Sequence, residues 1–399
     1  MLCQFSFENF RSYRDETTFD FQAENIPEFH DSLIRVDKCS SLLPVSAVYG
    51  PNGGGKTNLL RALSCLISTI VRPIHELNKN RTQIILQQQD TAEPYRLDGA
   101  SAEKPTSFQI FFRTNGYEYR YFLSLQNDEI VAEVLDRRAY SGRKTAHIFE
   151  RDRDIITLGP SISKKIMNTS VNAKLPFLSF LAITYNLPVI TDVQEWFESC
   201  IIRNFANQKA ESVIMSSEEL KPHVLGILND MSVDIDGYRY DEEKKQIFLQ
   251  RMIHEKQYEL PFSDESEGTK KLIIVLPLIL LALAEGRMVV IDELDAKLHP
   301  KLLRYIVSMF KNPNLNHKGA QLLFTSHDMA TMKNTVFRRD EIWFAAEDED
   351  HVSRIYSLYN IRREDNERVN STAAFDKQYM EGRYGADPYL QNIMGGGWN

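Results

Sequence analysis

Apolar and polar positions alternate in two runs between Leu2 and Phe21, separated by Asn9-Phe10-Arg11-Ser12, which is the pattern of a hairpin or edge strand. Ser46-Ala47-Val48-Tyr49 is a short apolar strand that runs into a glycine-rich turn. Leu59, Leu60, Leu63 and Ile67 then recur at helical spacing, so the order is strand, turn, helix. Residues 78–102 are polar and rich in glutamine and read as a loop. Strand alternation returns from Ser107 to Arg138, through Phe108, Ile110 and Phe112 and then Tyr119, Tyr121 and Leu123. Asn115-Gly116 and Asn127-Asp128 carry hairpin-turn chemistry there. From about Pro176 to Asp230 the period is helical, with Trp196, Phe197, Ile201 and Ile202 on one face, and strands resume from Val233 to Leu260. From Ser263 to about Asn360 helices alternate with buried strands, as a parallel sheet requires.

These patterns predict an α/β fold with a mixed or parallel central sheet, an antiparallel β-subdomain and an inserted helical lobe. The expected divisions are 1–140 for the glycine-rich turn and the β-subdomain, and 141–232 for a mainly helical lobe. Residues 233–360 complete the α/β core, and 361–399 form a C-terminal tail. No internal repeat and no heptad run long enough for a coiled-coil arm is present. The most apolar stretch, Leu272 to Ala284, falls short of the roughly 20 residues that span a bilayer. It also contains Pro277 and reads as a buried core helix.

Composition narrows the classes. The 399 residues, 43% hydrophobic and 26% charged, are enough for one large domain with an insertion, or for two domains. A formal charge of −8 provides no overall basic field to draw in nucleic acid. Arg137, Arg138, Arg143 and Lys144 make one small basic cluster, read as a solvated turn ahead of a nucleic-acid face. Glu347-Asp348-Glu349-Asp350 lacks ordered metal spacing and reads as solvated surface. Cys3, Cys39, Cys65 and Cys200 lie far apart without metal-ligand spacing, and the start shows no secretory pattern. The expectation is reduced thiols in a cytoplasmic protein with no membrane span.

The chemistry is concentrated in a few motifs. Gly50-Pro51-Asn52-Gly53-Gly54-Gly55-Lys56-Thr57 matches G-x-x-x-x-G-K-[ST] in full, between a strand and an amphipathic helix, with Asn58 following. The glycines let backbone N–H groups turn toward phosphate oxygens, and the helix presents its positive end to them. Lys56 would reach the β- and γ-phosphates and Thr57 would bind Mg²⁺. Met288-Val289-Val290-Ile291-Asp292-Glu293 is a buried strand that delivers Asp292 to the Mg²⁺ shell. Glu293 follows, placed to polarise an attacking water. No convincing N-K-x-D motif follows the turn, so a guanine preference is not indicated.

Ser266-Glu267-Gly268, opening the apolar helix ahead of that strand, resembles the S-x-G heart of the ABC signature motif, with Thr269 next. Taken with these residues, the chain resembles the ABC-class P-loop ATPases of the RecF, SMC and OLD type. Glu8-Asn9-Phe10-Arg11-Ser12 is similar to their opening strand, and Asp292-Glu293-Leu294-Asp295-Ala296-Lys297-Leu298-His299-Pro300 to the OLD-related branch. The resemblance covers residues up to about 138 and again from about 233 to 360. It implies an ABC-type ATPase head that uses ATP and Mg²⁺. Ser266, Gly268 and Thr269 would bind the γ-phosphate held by another copy, Asp295 would be the D-loop residue, and His327, ending Leu322-Leu323-Phe324-Thr325-Ser326, the switch histidine. It also implies a Q-loop glutamine, and Gln83, Gln87, Gln88 and Gln89 all qualify.

Tyr379-Met380-Glu381-Gly382-Arg383-Tyr384-Gly385-Ala386-Asp387-Pro388 is similar to the tail of ATPase subunits of bacterial anti-phage defence operons, of the AbiLi and PARIS AriA kind. That resemblance implies a sensor and scaffold that forms a homodimer or higher homo-oligomer. It would hold a separate effector, a nuclease, and answer to a phage protein. The residues after Asp328 are too few for the TOPRIM nuclease fused to OLD members. The alternative expectation is a RecF- or SMC-like DNA repair ATPase acting at DNA ends or gaps. An ABC transporter subunit fits least, because no membrane-coupling segment is apparent.

Overall fold

The computed structural model describes residues 1–36, 39–77, 91–162, 167–203, 219–241, 243–244, 246–362 and 366–386. The strands in chain order begin with β1 (Leu2–Glu8), β2 (Thr17–Asp20), β3 (Val45–Tyr49), β4 (Thr106–Thr114), β5 (Tyr117–Gln126), β6 (Glu129–Ala139), β7 (Ala146–Asp152) and β8 (Ile155–Leu158). They continue with β9 (Ile201–Arg203), β10 (Gly237–Asp241), β11 (Gln246–Ile253), β12 (Lys256–Pro261), β13 (Met288–Ile291), β14 (Gln321–Thr325), β15 (Ile342–Glu347) and β16 (Ser353–Ser357). The helices are α1 (Lys56–Leu77), α2 (Gly99–Ala102), α3 (Phe177–Thr184), α4 (Pro188–Ser199), α5 (Lys221–Asp230), α6 (Glu267–Glu285), α7 (Pro300–Lys311) and α8 (Phe375–Met380).

Strand periodicity explains the layers. In β3, Val45, Ala47 and Tyr49 join one core while Val48 joins the other; β13, β14 and β15 divide in the same way, as Val289 and Ile291 against Met288 and Val290. A strand that is apolar on both faces must be covered on both. The central sheet, ordered β16-β15-β3-β14-β13-β9, is parallel except for the antiparallel β16 at one edge. On one face α1, α3 and α4 separate it from a seven-stranded antiparallel sheet, β2-β1-β4-β5-β6-β7-β8. On the other face lie α5, α6, α7 and α8 and the antiparallel meander β10-β11-β12. The mixed α/β architecture is therefore the expected one. The hairpin turns are too: Asn115, Asn127 and Asp128 adopt positive φ, as primed turns demand. Helix α6 is the expected core helix, buried along most of its length.

The segment 141–232 differs from the expected lobe. Its first part forms β7 and β8, which extend the antiparallel sheet beside β6. Helices α3 and α4 then pack into the main core, with Trp196 stacked on Phe112 at 4.1 Å and Ser179 bonded to the Ile70 carbonyl of α1 at 2.7 Å. Ile201 and Ile202 belong to no helix; they form β9, paired in parallel with β13. Two adjacent β-branched residues next to an open sheet edge satisfy their backbone there, which overrides the helical spacing read from sequence. The described part of the 361–399 tail also docks on the core: Tyr379 and Tyr384 pack against Phe344 of β15. Asp387 and Pro388 lie outside the described residues, as do Gln83, Gln87, Gln88 and Gln89.

Candidate functional site

Between β3 and α1 the chain turns through Gly50–Gly55. Gly50 has φ +145°, and a Cβ there would sit 2.0 Å from the Ala345 carbonyl oxygen of β15, so only glycine fits. Lys56 is buried and its Nζ donates to the carbonyls of Gly50 (2.8 Å) and Pro51 (2.9 Å). Burial pushes its ammonium down to about 8, partly offset by the carboxylates of Asp292, Glu293 and Asp295. A cavity of about 170 Å³ opens here. Pro51, Asn52, Gly53, Gly55, Lys56, Thr57 and Asn58 line it from the loop side, with Asp292, Glu293 and His327 opposite.

Asp292 and Glu293 follow β13, as the central sheet's topology requires of residues facing α1 across a strand end. Thr57 donates from Oγ1 to Asp292 Oδ2 at 2.9 Å. This hydroxyl and carboxylate are the oxygen donors that suit a hard divalent cation, and they fit Mg²⁺. No cluster of three or more His, Cys, Asp or Glu with metal-holding geometry occurs among the described residues. A cation here would therefore complete its shell from phosphate and water, as Mg²⁺ commonly does. Glu293 has φ +50° and its carboxylate is exposed at the cavity rim. His327 is exposed beside it, its pKa lowered first by partial burial and then by Lys56. Asp295 accepts from the His327 backbone N–H at 3.0 Å through Oδ2, while its Oδ1 is buried with no hydrogen-bond partner among the described residues.

Ser266, Gly268 and Thr269 do not line this cavity. They occupy the N-terminus of α6, where Ser266 caps the helix by accepting from the Thr269 N–H at 3.1 Å and leaves its own surface exposed. A Cβ on Gly268 would meet the Lys297 carbonyl oxygen at 2.7 Å, which sets this helix start tightly against the loop after Asp292. The structure thus brings Lys56, Thr57, Asp292, Glu293 and His327 together and leaves the Ser266–Thr269 turn outside the cavity lining.

Several supporting residues escaped the sequence reading. Thr325, fully buried in β14, donates to Asp292 Oδ1 (2.5 Å) and accepts from the Glu293 N–H (2.7 Å). Ser12 accepts from the Asn58 amide (2.9 Å), its carbonyl accepts from the Ser353 N–H (2.8 Å), and Tyr13 donates to the Gly55 carbonyl (3.2 Å). The Asn9–Tyr13 bend therefore braces the glycine loop. Nothing in local sequence joins positions 12, 58 and 353; only the T immediately before S-H at 325–327 hinted at a hydroxyl near the strand end. The basic cluster is engaged structurally: Arg138 pairs with Glu118 (2.6 Å) and Arg137 lies over Tyr117. Asp348, in the acidic run, closes the β15–β16 turn by accepting from the Asp350 and Val352 N–H groups. All four cysteines are free.

A family profile described as "AAA domain, putative AbiEii toxin, Type IV TA system" matches residues 45–163 and 203–333, spans that hold all the residues lining the cavity and the Ser266–Thr269 turn. Among solved structures, the SMC head domain from Thermotoga maritima is 14% identical with a TM-score of 0.38, covering 90% of this chain and 98% of that one. An SmcHead bound to the C-winged helix domain of ScpA is 12% identical with a TM-score of 0.42, covering 90% and 97%. The Smc head domain with an extended coiled coil bound to the C-terminal domain of ScpA derived from Pyrococcus furiosus is 11% identical with a TM-score of 0.36, covering 90% and 96%. No curated protein matches the chain.

Proposed function

Since the chain belongs to this AAA-domain, AbiEii-type family and is an ABC-class P-loop ATPase, we propose that it binds and hydrolyses ATP in a site shared between two copies of itself. One observation carries the reading. The glycine loop, Lys56, Thr57, Asp292, Glu293 and His327 converge on one cavity, whereas Ser266, Gly268 and Thr269 lie outside its lining at a helix N-terminus, with Ser266 exposed and the other two half-buried. A helix start with exposed N–H groups attracts phosphate oxygens. The cavity of one copy and the α6 start of another are thus two halves that the γ-phosphate joins.

In this mechanism the loop amides and Lys56 hold the phosphates, and Thr57 and Asp292 hold Mg²⁺. When bound, Mg²⁺ supplies charge neutralisation on the phosphate oxygens. Glu293 orients a water and accepts its proton as the water oxygen bonds to the γ-phosphorus and the bond to ADP breaks. His327 steadies the γ-phosphate from the strand β14 side, and the loop that carries Asp295, whose Oδ2 accepts from the His327 N–H, meets the second copy. Release of phosphate removes the bridge and the pair reopens, a switch set by a few charge-assisted hydrogen bonds.

The same reading extends to biology. The protein acts in the cytoplasm as a sensor and scaffold in anti-phage defence, holding a separate effector such as a nuclease until a phage protein triggers it. The family's description as a putative AbiEii toxin and the sequence similarity of the tail at Tyr379–Pro388 support this; among the described residues no helix is long and apolar enough to cross a membrane. The test combines phosphate release with phage challenge in cells carrying the neighbouring genes. Lys56→Ala should abolish both hydrolysis and protection, and affinity purification should recover one partner protein. Protection undiminished by Lys56→Ala would sink the defence reading. Salt-sensitive stimulation of hydrolysis by gapped DNA would replace it with the repair reading.

A further inference from the structure

Lys271 lies on α6, one turn beyond the Ser266–Gly268 start, and is buried. Its Nζ donates to the carbonyl oxygens of Glu293 (2.5 Å) and Ala296 (2.8 Å). Glu293 sits at φ +50°, a conformation that persists only where the surroundings impose it. Both of its backbone polar groups are fastened: the N–H to Thr325 and the carbonyl to Lys271. The loop is fixed to α6 twice more, by the close approach of Gly268 to the Lys297 carbonyl and by the Glu267–Lys297 ion pair at 2.9 Å.

From this geometry we infer that Lys271 is a positioning residue, tying the phosphate-binding start of α6 to the Glu293 loop of the same copy. The inference rests on the shared-site reading above and adds its regulation. Each copy contributes a cavity to one nucleotide and an α6 start to the other. Engagement of the α6 start by the second nucleotide is passed through Lys271 to the backbone of Glu293, so each site is tuned by the occupancy of its twin. Spatial intermediacy alone would be a weak warrant; here a single ammonium contacts two residues of the loop that carries Asp295, Glu293 and Ala296, and the strained residue is the catalytic candidate.

The experiment compares wild type, Lys271→Met and Lys271→Arg in three readouts: ATP binding, kcat, and the Hill coefficient of turnover against ATP concentration. Lys271→Met keeps the length of the side chain and removes the donors. It is expected to bind ATP within about twofold of wild type, to lose about tenfold or more in kcat, and to show a Hill coefficient near 1. Lys271→Arg should recover most of the turnover and the cooperativity. Unchanged kcat and Hill coefficient in Lys271→Met would overturn the inference, as would parallel loss of ATP binding in both variants, which marks a merely structural residue. If Lys271→Met does not accumulate folded, Lys271→Arg decides: retained cooperativity supports the tie, and full turnover without cooperativity refutes it. Failure of the underlying reading looks different, because then the wild type itself would show a Hill coefficient of about 1 and Glu293→Gln would keep a single-copy mass with Mg-ATP.

Discussion

Thr325→Val isolates the hydroxyl that holds the two acidic residues in register. Valine keeps the shape of threonine, so the change removes two hydrogen bonds and little else. One is a 2.5 Å bond to the Asp292 carboxylate and the other a 2.7 Å bond from the Glu293 N–H. A hydrogen bond to a charged acceptor contributes roughly 1.5–3 kcal/mol and a neutral one about 1. Thr325 itself is fully buried, yet Asp292 is half-buried and Glu293 exposed, so water compensates part of the loss. The expected destabilisation is therefore about 2–3 kcal/mol. Urea denaturation followed by tryptophan fluorescence measures it, since Trp343 stands in the central sheet. Thr325→Ser, which keeps the hydroxyl and drops one methyl, should cost about 1 kcal/mol and retain turnover. A Thr325→Val protein within about 0.5 kcal/mol of wild type and fully active would refute the claim that this hydroxyl organises the site.

Other perturbations test other contacts. Gly50→Ala should disrupt the loop against β15, because the new Cβ would collide with the Ala345 carbonyl at 2.0 Å; nucleotide binding and thermal stability should fall together, by at least about 2 kcal/mol. Asn9→Ala removes a buried amide that donates to Ser101 and Lys104 carbonyls and accepts from the Tyr95 N–H, at a residue with φ +54°. A loss of about 2–4 kcal/mol in urea unfolding is expected, with Asn9→Asp intermediate. Glu133, buried beneath α3, accepts from Tyr121 and from the N–H groups of Phe177 and Leu178, yet burial raises its pKa above 4.5 against those donors. Between its unfolded and raised folded values the native state carries the extra proton, so this group makes stability fall as pH rises through that window. Glu133→Gln should flatten that slope in urea midpoints measured from pH 4.5 upward; an unaltered slope would assign the proton elsewhere.

Much of this molecule was legible in its residues, and the reasons are local. The strand–turn–helix at Ser46 to Ile67 combines a period-two run, glycines and a 3.6-residue period within one short stretch, so neighbours decide it. The hairpin turns were readable because Asn-Gly and Asn-Asp tolerate positive φ. Within 141–232 the helices α3, α4 and α5 fall where the helical period runs, but the strands there were not legible, for the opposite reason. Ile201 and Ile202 are a strand only because β13, nearly ninety positions away, offers them an edge, and β7 and β8 are fixed by pairing with β6. At the site, the motif residues could be named from their types, but their bracing could not. Ser12 meets Ser353, Thr57 meets Asp292, and Lys271 meets Glu293 through contacts whose partners no spacing rule links. Nothing in the sequence sets Lys271 apart from its neighbour Lys270; the fold is what buries it.

The shared site is the central claim, and the mass of Glu293→Gln in solution tests it most directly. This variant should bind ATP with Mg²⁺ but not cleave it, so sedimentation velocity should show its mass double on adding Mg-ATP and return when the nucleotide is removed. Adding Ser266→Arg, which blocks the exposed α6 start without touching the cavity, should abolish the doubling while ATP binding persists. A Glu293→Gln protein whose mass is the same with and without Mg-ATP, or whose doubling survives Ser266→Arg, would contradict the account.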